Sequence, residues 1–182
     1  MELLLGTNGS VIVLTLLTVF LATYHCQVCP AGDPPDYRAE NLLKAGTGLV
    51  ERKHYLEAFD HLEEARDVME KAEHTNTPLY ADIMFGLAEA KIKARLHQGF
   101  PAHYVKIALE EVQLANKLRE RLSGVMPQRL AEGYFLEGYI QKTFFMRYEA
   151  AAQIFARAVS VDPGLMAAKR ELSELVSDEK QK

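Results

Sequence analysis

Beyond residue 36 the chain is written in runs of apolar residues spaced three and four apart, each closed by a glycine, a proline or a polar cluster. That spacing predicts amphipathic helices, since the apolar residues of a half-buried strand would alternate. Asp36 reads as the cap of the first helix, which reaches about Arg52 with Leu42, Ala45, Gly46 and Leu49 on one face. The second carries Tyr55, Ala58, Leu62 and Ala65 and ends near Ala72. After the polar break His74-Thr75-Asn76-Thr77, Thr77-Pro78 supplies a cap and a first-turn proline for the third. This helix groups Tyr80, Ile83, Leu87, Ala90 and Ala94 and stops near His97. Its partner follows Gly99-Phe100-Pro101 with Val105, Ala108, Leu109, Val112, Ala115, Leu118 and Leu122 as its stripe.

Ser123-Gly124-Val125-Met126-Pro127 breaks the pattern, and a fifth helix from Arg129 to about Thr143 carries Leu130, Tyr134, Phe135, Gly138 and Tyr139. Tyr148 to Pro163 is the clearest run, with Ala151, Ile154, Phe155, Ala158 and Val159 on one face. Its alanines allow another helix to come close. Asp162-Pro163 reads as a cap and first-turn proline for a last helix, from Leu165 to about Val176, with Met166, Leu172 and Leu175 as its apolar residues.

The stretch before these helices is of another kind. No charged residue occurs from Leu3 to Gly32 if histidine is neutral, and Val11 to Ala22 (VIVLTLLTVFLA) is strongly apolar. Leu3 to Tyr24 approaches the ~20 residues of a membrane span, and Tyr24 would sit at the interface. The expectation is a transmembrane anchor over residues 1–31. A cleaved secretory signal is the competing reading, with Val11 to Ala22 as its apolar core and cleavage before Gly32. The n-region holds Glu2 and no basic residue, which counts against it. Tyr24-His25 before Cys26 are too large for a bacterial lipidation site. Every basic residue lies after the tract, beginning at Arg38, which places the folded part weakly on the cytoplasmic side. Residues 32–36 form a proline-containing linker, 37–176 the helical domain and 177–182 a flexible tail.

Composition narrows the function classes. Hydrophobic residues are 48% and charged residues 25%, enough for a packed core. A formal charge of -4 argues against nucleic acid as partner, because phosphate binding calls for a basic stripe. Both cysteines, Cys26 and Cys29, lie in the N-terminal tract. Their CxxC spacing lacks the second ligand pair that zinc requires and the βαβ surroundings of a redox site.

Written together, HYLEAFDHLEEA (residues 54–65) and RYEAAAQIFARA (residues 147–158) share a skeleton of Tyr-x-x-Ala, then a large apolar residue, then Ala. These residues resemble the tetratricopeptide repeat, a helix-turn-helix unit of about 34 residues. Leu42, Ala45, Gly46 and Leu49 match the unit's first helix; Tyr55, Ala58, Leu62 and Ala65 match its second. Tyr148, Ala151, Phe155, Ala158 and Pro163 match the second helix and turn of the last unit. The usual first-helix tryptophan is replaced by Leu42, and Gly138 is one residue out of step relative to Ala151. Ala108, Val112 and Ala115 can take the second-helix positions of the middle unit. Gly86 and Ala108 are 22 residues apart where Gly46 and Ala58 are 12, so that unit is expected to be longer by two or three turns. The resemblance, over about residues 37–176, implies an all-α fold: a short helical-repeat solenoid of about three helix pairs with a C-terminal capping helix, to which the apolar tract adds an N-terminal hydrophobic helix.

Chemistry is sparse. His54 and His61, seven apart, are too distant to share a metal unaided, and no phosphate loop or activated nucleophile is recognisable. Glu63-Glu64, Glu110-Glu111 and pairs such as Lys106 and Glu110 read as solvated helix faces. The aromatic group Tyr134, Phe135, Tyr139, Phe144 and Phe145 reads as core. No enzyme activity, cofactor or metal is expected. The resemblance implies a concave groove that binds a protein or peptide partner, and by position its candidate residues are Leu43, Thr47, Val50, Glu51 and Gln141. The expected protein is a membrane-tethered interaction scaffold, with an exported ligand-binding protein as the alternative.

Overall fold

In the computed structural model of the chain, residues 33–179 are described, and they are helical throughout, with no strand among them. The helices are α1 (Pro35–Glu51), α2 (Tyr55–Lys71), α3 (Pro78–Gln98), α4 (His103–Arg121), α5 (Pro127–Phe145), α6 (Tyr148–Val161) and α7 (Met166–Glu179). The anchor or signal reading of residues 1–31, and both cysteines, lie outside the described residues. Among the described residues no helix is long and apolar enough to cross a membrane. The tail expected from Ser177 continues α7 as far as Glu179.

Local chemistry sets most of the boundaries. Thr77 is extended and its hydroxyl accepts from Tyr80 N at 3.1 Å, with Pro78 in the first turn of α3 as expected. Pro127 opens α5 in the same position, two residues before the expected start. Asp36 proves to lie inside the first turn of α1, which begins at Pro35, and its carboxylate meets His74 Nδ1 at 2.7 Å. Asp162 closes a turn by accepting from Gly164 N at 2.8 Å, so Pro163 precedes α7 instead of opening it. Gly99 ends α3 with φ of 69°. Lys53, Glu73 and Met146 take the same left-handed conformation after α1, α2 and α5 without being glycine.

Each helix packs on the next across a short connection and therefore runs antiparallel to it; in addition α1 touches α3 and α3 touches α5. The apolar interior divides accordingly. One core joins α1, α2 and α3 with Ala115 and Leu118 of α4. A second joins α3 and α4 to Ile140 of α5 and takes in Tyr139, Phe144 and Phe145. The third joins α5, α6 and α7. Three matched triads lie at the centre of these cores: Ala58, Leu62, Ala65; Ala108, Val112, Ala115; Ala151, Phe155, Ala158. All nine residues are 0% exposed. Their spacing of four and then three residues keeps each triad on one face of α2, α4 or α6.

Glycines admit the close approach. A Cβ at Gly46 would stand 2.6 Å from Leu62 Cγ, and one at Gly138 would stand 2.8 Å from Phe155 Cε1. Leu62 and Phe155 are the middle members of their triads, so the two glycines are counterparts despite the offset of one residue. The offset is absorbed at the end of α5. After α1, His54 N bonds to Leu49 O, five residues back, whereas after α5, Arg147 N bonds to Gln141 O, six back. One extra residue in that last turn restores the register.

Several packing expectations are corrected. Gly86 is not the counterpart of Gly46, because it faces Leu62 and Leu43 of the first hairpin. The middle pair is longer, at 21 and 19 residues against 17 and 17, but by less than the Gly86 alignment implied. Ala45 is exposed, and Met166 is 70% exposed. Tyr55 is 2% exposed, whereas Tyr148, its counterpart by sequence, is 49% exposed. Tyr55 belongs to the first core and is stacked by His97, near the end of α3, with ring centroids 5.9 Å apart.

Candidate functional site

The five residues expected to line a groove are not equally available. Glu51, the last residue of α1, is exposed. Leu43 is partly buried against the first core, near Gly86. Thr47 is half-buried and turns its hydroxyl back to Leu43 O at 2.9 Å. Val50 is 3% exposed and belongs to the core, and Gln141 is 6% exposed with no partner for Oε1. As they stand, Val50 and Gln141 present almost no surface to a partner.

Polar chemistry concentrates instead between the helices. α3 buries residues on every side, including Lys91, as expected of a helix enclosed by neighbours. Lys91 Nζ lies 2.6 Å from Glu111 Oε1 of α4 and 3.6 Å from Glu63 Oε1 of α2, and 5.2 Å above the Phe59 ring. Glu63 also pairs with Arg66, which approaches Glu70 at 3.6 Å, and Glu70 accepts from Tyr80 Oη at 2.8 Å. Burial, together with that bond to Glu70, pushes the Tyr80 hydroxyl up to about 12. The reading of Glu111 as a solvated residue is therefore overturned: it is 5% exposed, and burial raises its pKa despite Lys91. Its neighbour Glu110 is exposed and meets Lys106 at 3.8 Å, as expected of a surface pair.

A second network joins α3, α4 and α5. Arg119, 3% exposed, donates to Asp82 Oδ1 and to Arg129 O, each at 2.7 Å, and its guanidinium lies 4.8 Å above the Phe85 ring. Arg129 reaches the other Asp82 oxygen at 3.0 Å. One turn earlier on α4, Asn116 and Gln113 donate to the two oxygens of Glu137 on α5 at 2.9 and 3.0 Å. Gly133 is pressed against the Asn116 carboxamide, where no Cβ would fit. Further along, Tyr134 and Arg157 converge on Glu120.

The sequence carries a signal for these groups. Glu111 lies between Ala108 and Ala115 at helical spacing, Arg119 lies four residues after Ala115, and Lys91 lies between Leu87 and Ala94. Each occupies a buried-stripe position. What the spacing lacks is the partner that makes a buried charge tolerable, which comes from another helix.

Elsewhere, an open depression of about 300 Å³ lies where α2 begins, lined by Lys53, His54, Tyr55, Leu56, Glu57 and Gln98. Among the described residues no three His, Cys, Asp or Glu gather closely enough to hold a metal ion. No protein-family model matches the chain, and no match is found among curated proteins.

Proposed function

We propose that this chain is a tetratricopeptide-like helical-repeat module that docks a partner protein or peptide and is tethered to a membrane by its N-terminal tract. The observation that supports it best is the threefold recurrence of the buried triads in α2, α4 and α6, with α1, α3 and α5 as the leading helices. Hairpins stacked in this way bury their apolar faces on one another and leave the leading helices to offer an extended surface. On α1 the residues left open on one stripe are Glu40, Lys44, Thr47 and Glu51. On α3 the more open residues include Glu89, Lys93 and Leu96.

The test is crosslinking of the full-length protein in membranes, recovery of what is joined to it, and N-terminal sequencing of the recovered chain. A protein joined through residues of α1, α3 or α5, on a chain that keeps residues 3–24, is the expected result. A mature chain starting near Gly32 would replace the tether with export. Recovery of no protein, together with saturable binding of a small molecule by the purified chain, would overturn the scaffold reading.

A further inference from the structure

We propose that Glu137 is a recognition point for a cationic side chain, arginine or lysine, of the protein partner; this rests on the interaction-module reading above. Glu137 is partly buried on α5, and both its oxygens are held, Oε1 by Gln113 Nε2 at 3.0 Å and Oε2 by Asn116 Nδ2 at 2.9 Å. Both donors are neutral. Other carboxylates at this depth among the described residues are matched differently. Glu63 and Glu111 have Lys91, Asp82 has Arg119 and Arg129, Glu89 has Lys93, and Glu171 has Lys142. Asp162 closes its own turn. Glu137 alone in this set is fixed by side-chain amides, and like Asp162 it has no cation beside it.

A second observation points the same way. Gly133, Glu137 and Gln141 are four residues apart on α5, and the bonds to Asn116 and Gln113 turn this stripe toward α4. Two acceptor oxygens on this seam have no donor, Asn116 Oδ1 and Gln141 Oε1, and their residues are 3% and 6% exposed. The seam is therefore rich in acceptors and short of donors. The enclosed oxygens lie out of a partner's reach but add to the negative character around Glu137; a guanidinium or ammonium supplies the missing positive charge to that carboxylate, and such a bond is of the stronger, charge-assisted kind. A neutral hydroxyl would leave the charge unbalanced, and an anion would be repelled. Because Gln113 and Asn116 already hold the carboxylate, little further ordering is needed when a cation arrives.

Selection of random peptides displayed on phage against the full-length chain in detergent micelles tests this. The enriched peptides should share an arginine or lysine at one position. Replacing it by citrulline or norleucine should weaken binding about tenfold or more, and Glu137→Gln should weaken binding of the parent peptide to a similar degree. The citrulline comparison requires no change to the protein, so it holds even if Glu137→Gln folds poorly. Enriched peptides that tolerate citrulline there, or that bind folded E137Q as well as wild type, overturn the role of Glu137 and leave the interaction module standing. A selection that enriches no peptide overturns both.

Discussion

Gly138 lies directly against the ring of Phe155, and a methyl group added at Gly138 would stand 2.8 Å from Cε1 and 2.9 Å from Cδ1. The contact joins α5 to α6 at the middle of a triad that is fully inaccessible. Because Phe155 is rigid and enclosed, it cannot yield the space that a flexible side-chain end could.

Gly138→Ala should therefore destabilise the protein by ~1–3 kcal/mol through overpacking. Gly48, on α1, has nothing within 4 Å of its would-be Cβ. There the same substitution should stabilise by roughly 0.5–1 kcal/mol, the ordinary helical advantage of alanine. Urea melts of the two variants check this, and equal signs would show that the α5–α6 contact is looser than described.

The two tyrosines that look equivalent in sequence should behave differently. Tyr55 is buried beneath His97, so Tyr55→Ala should cost ~3–5 kcal/mol, as for other large buried aromatics. Tyr148→Ala, at a half-exposed site, should cost less than about 1 kcal/mol. Thermal denaturation distinguishes them; a large loss for Tyr148→Ala would mean that another element covers it.

Lys91→Met leaves Glu111 buried without its nearest cation. The expected cost at neutral pH is ~3–5 kcal/mol, and Lys91→Met combined with Glu111→Leu should recover most of it, since a well-packed apolar pair can replace a buried ion pair. Denaturant unfolding of the two single variants and the double completes a cycle. Additive losses would show that the two residues are not coupled across α3 and α4.

Burial raises the Glu111 pKa above its ordinary 4.5. A carboxyl raised on folding binds its proton more readily in the native state, so it adds stability that is fully present below about 4.5 and is lost as pH rises through the folded value. Wild-type stability relative to Glu111→Gln should therefore increase as pH falls from neutral toward 4.5. Paired urea melts across that range measure the difference. A flat difference, or one of opposite slope, would mean that Lys91 outweighs burial at this site.

Much of the fold was legible because its determinants are local. Thr77-Pro78 starts a helix by satisfying amides within its own first turn. Gly99 ends one because it accepts a left-handed backbone at no steric cost. Lys53 and Met146 adopt that conformation without being glycine and gave no such sign. Of the residues expected to line a groove, Leu43, Thr47 and Glu51 lie at partly or fully open positions, whereas Val50 and Gln141 are buried. Helical spacing states which residues share a side of one helix; it does not state what lies against that side.

The sequence by itself determined the helical period, nearly all the helix ends and the three alanine triads, because each depends on residues within a turn or two of one another. Only the tertiary structure decided that Tyr148 is open while Tyr55 is covered, and that Gly86 serves the preceding hairpin. It likewise decided that Lys91 and Glu111 are interior and that Glu137 is held by two amides without a cation. Those outcomes depend on partners 20 or more residues away in the chain, as with Lys91 and Glu111 or Gln113 and Glu137. Burial and charge pairing are properties of the space between helices, and the pattern within any one helix leaves that space undetermined.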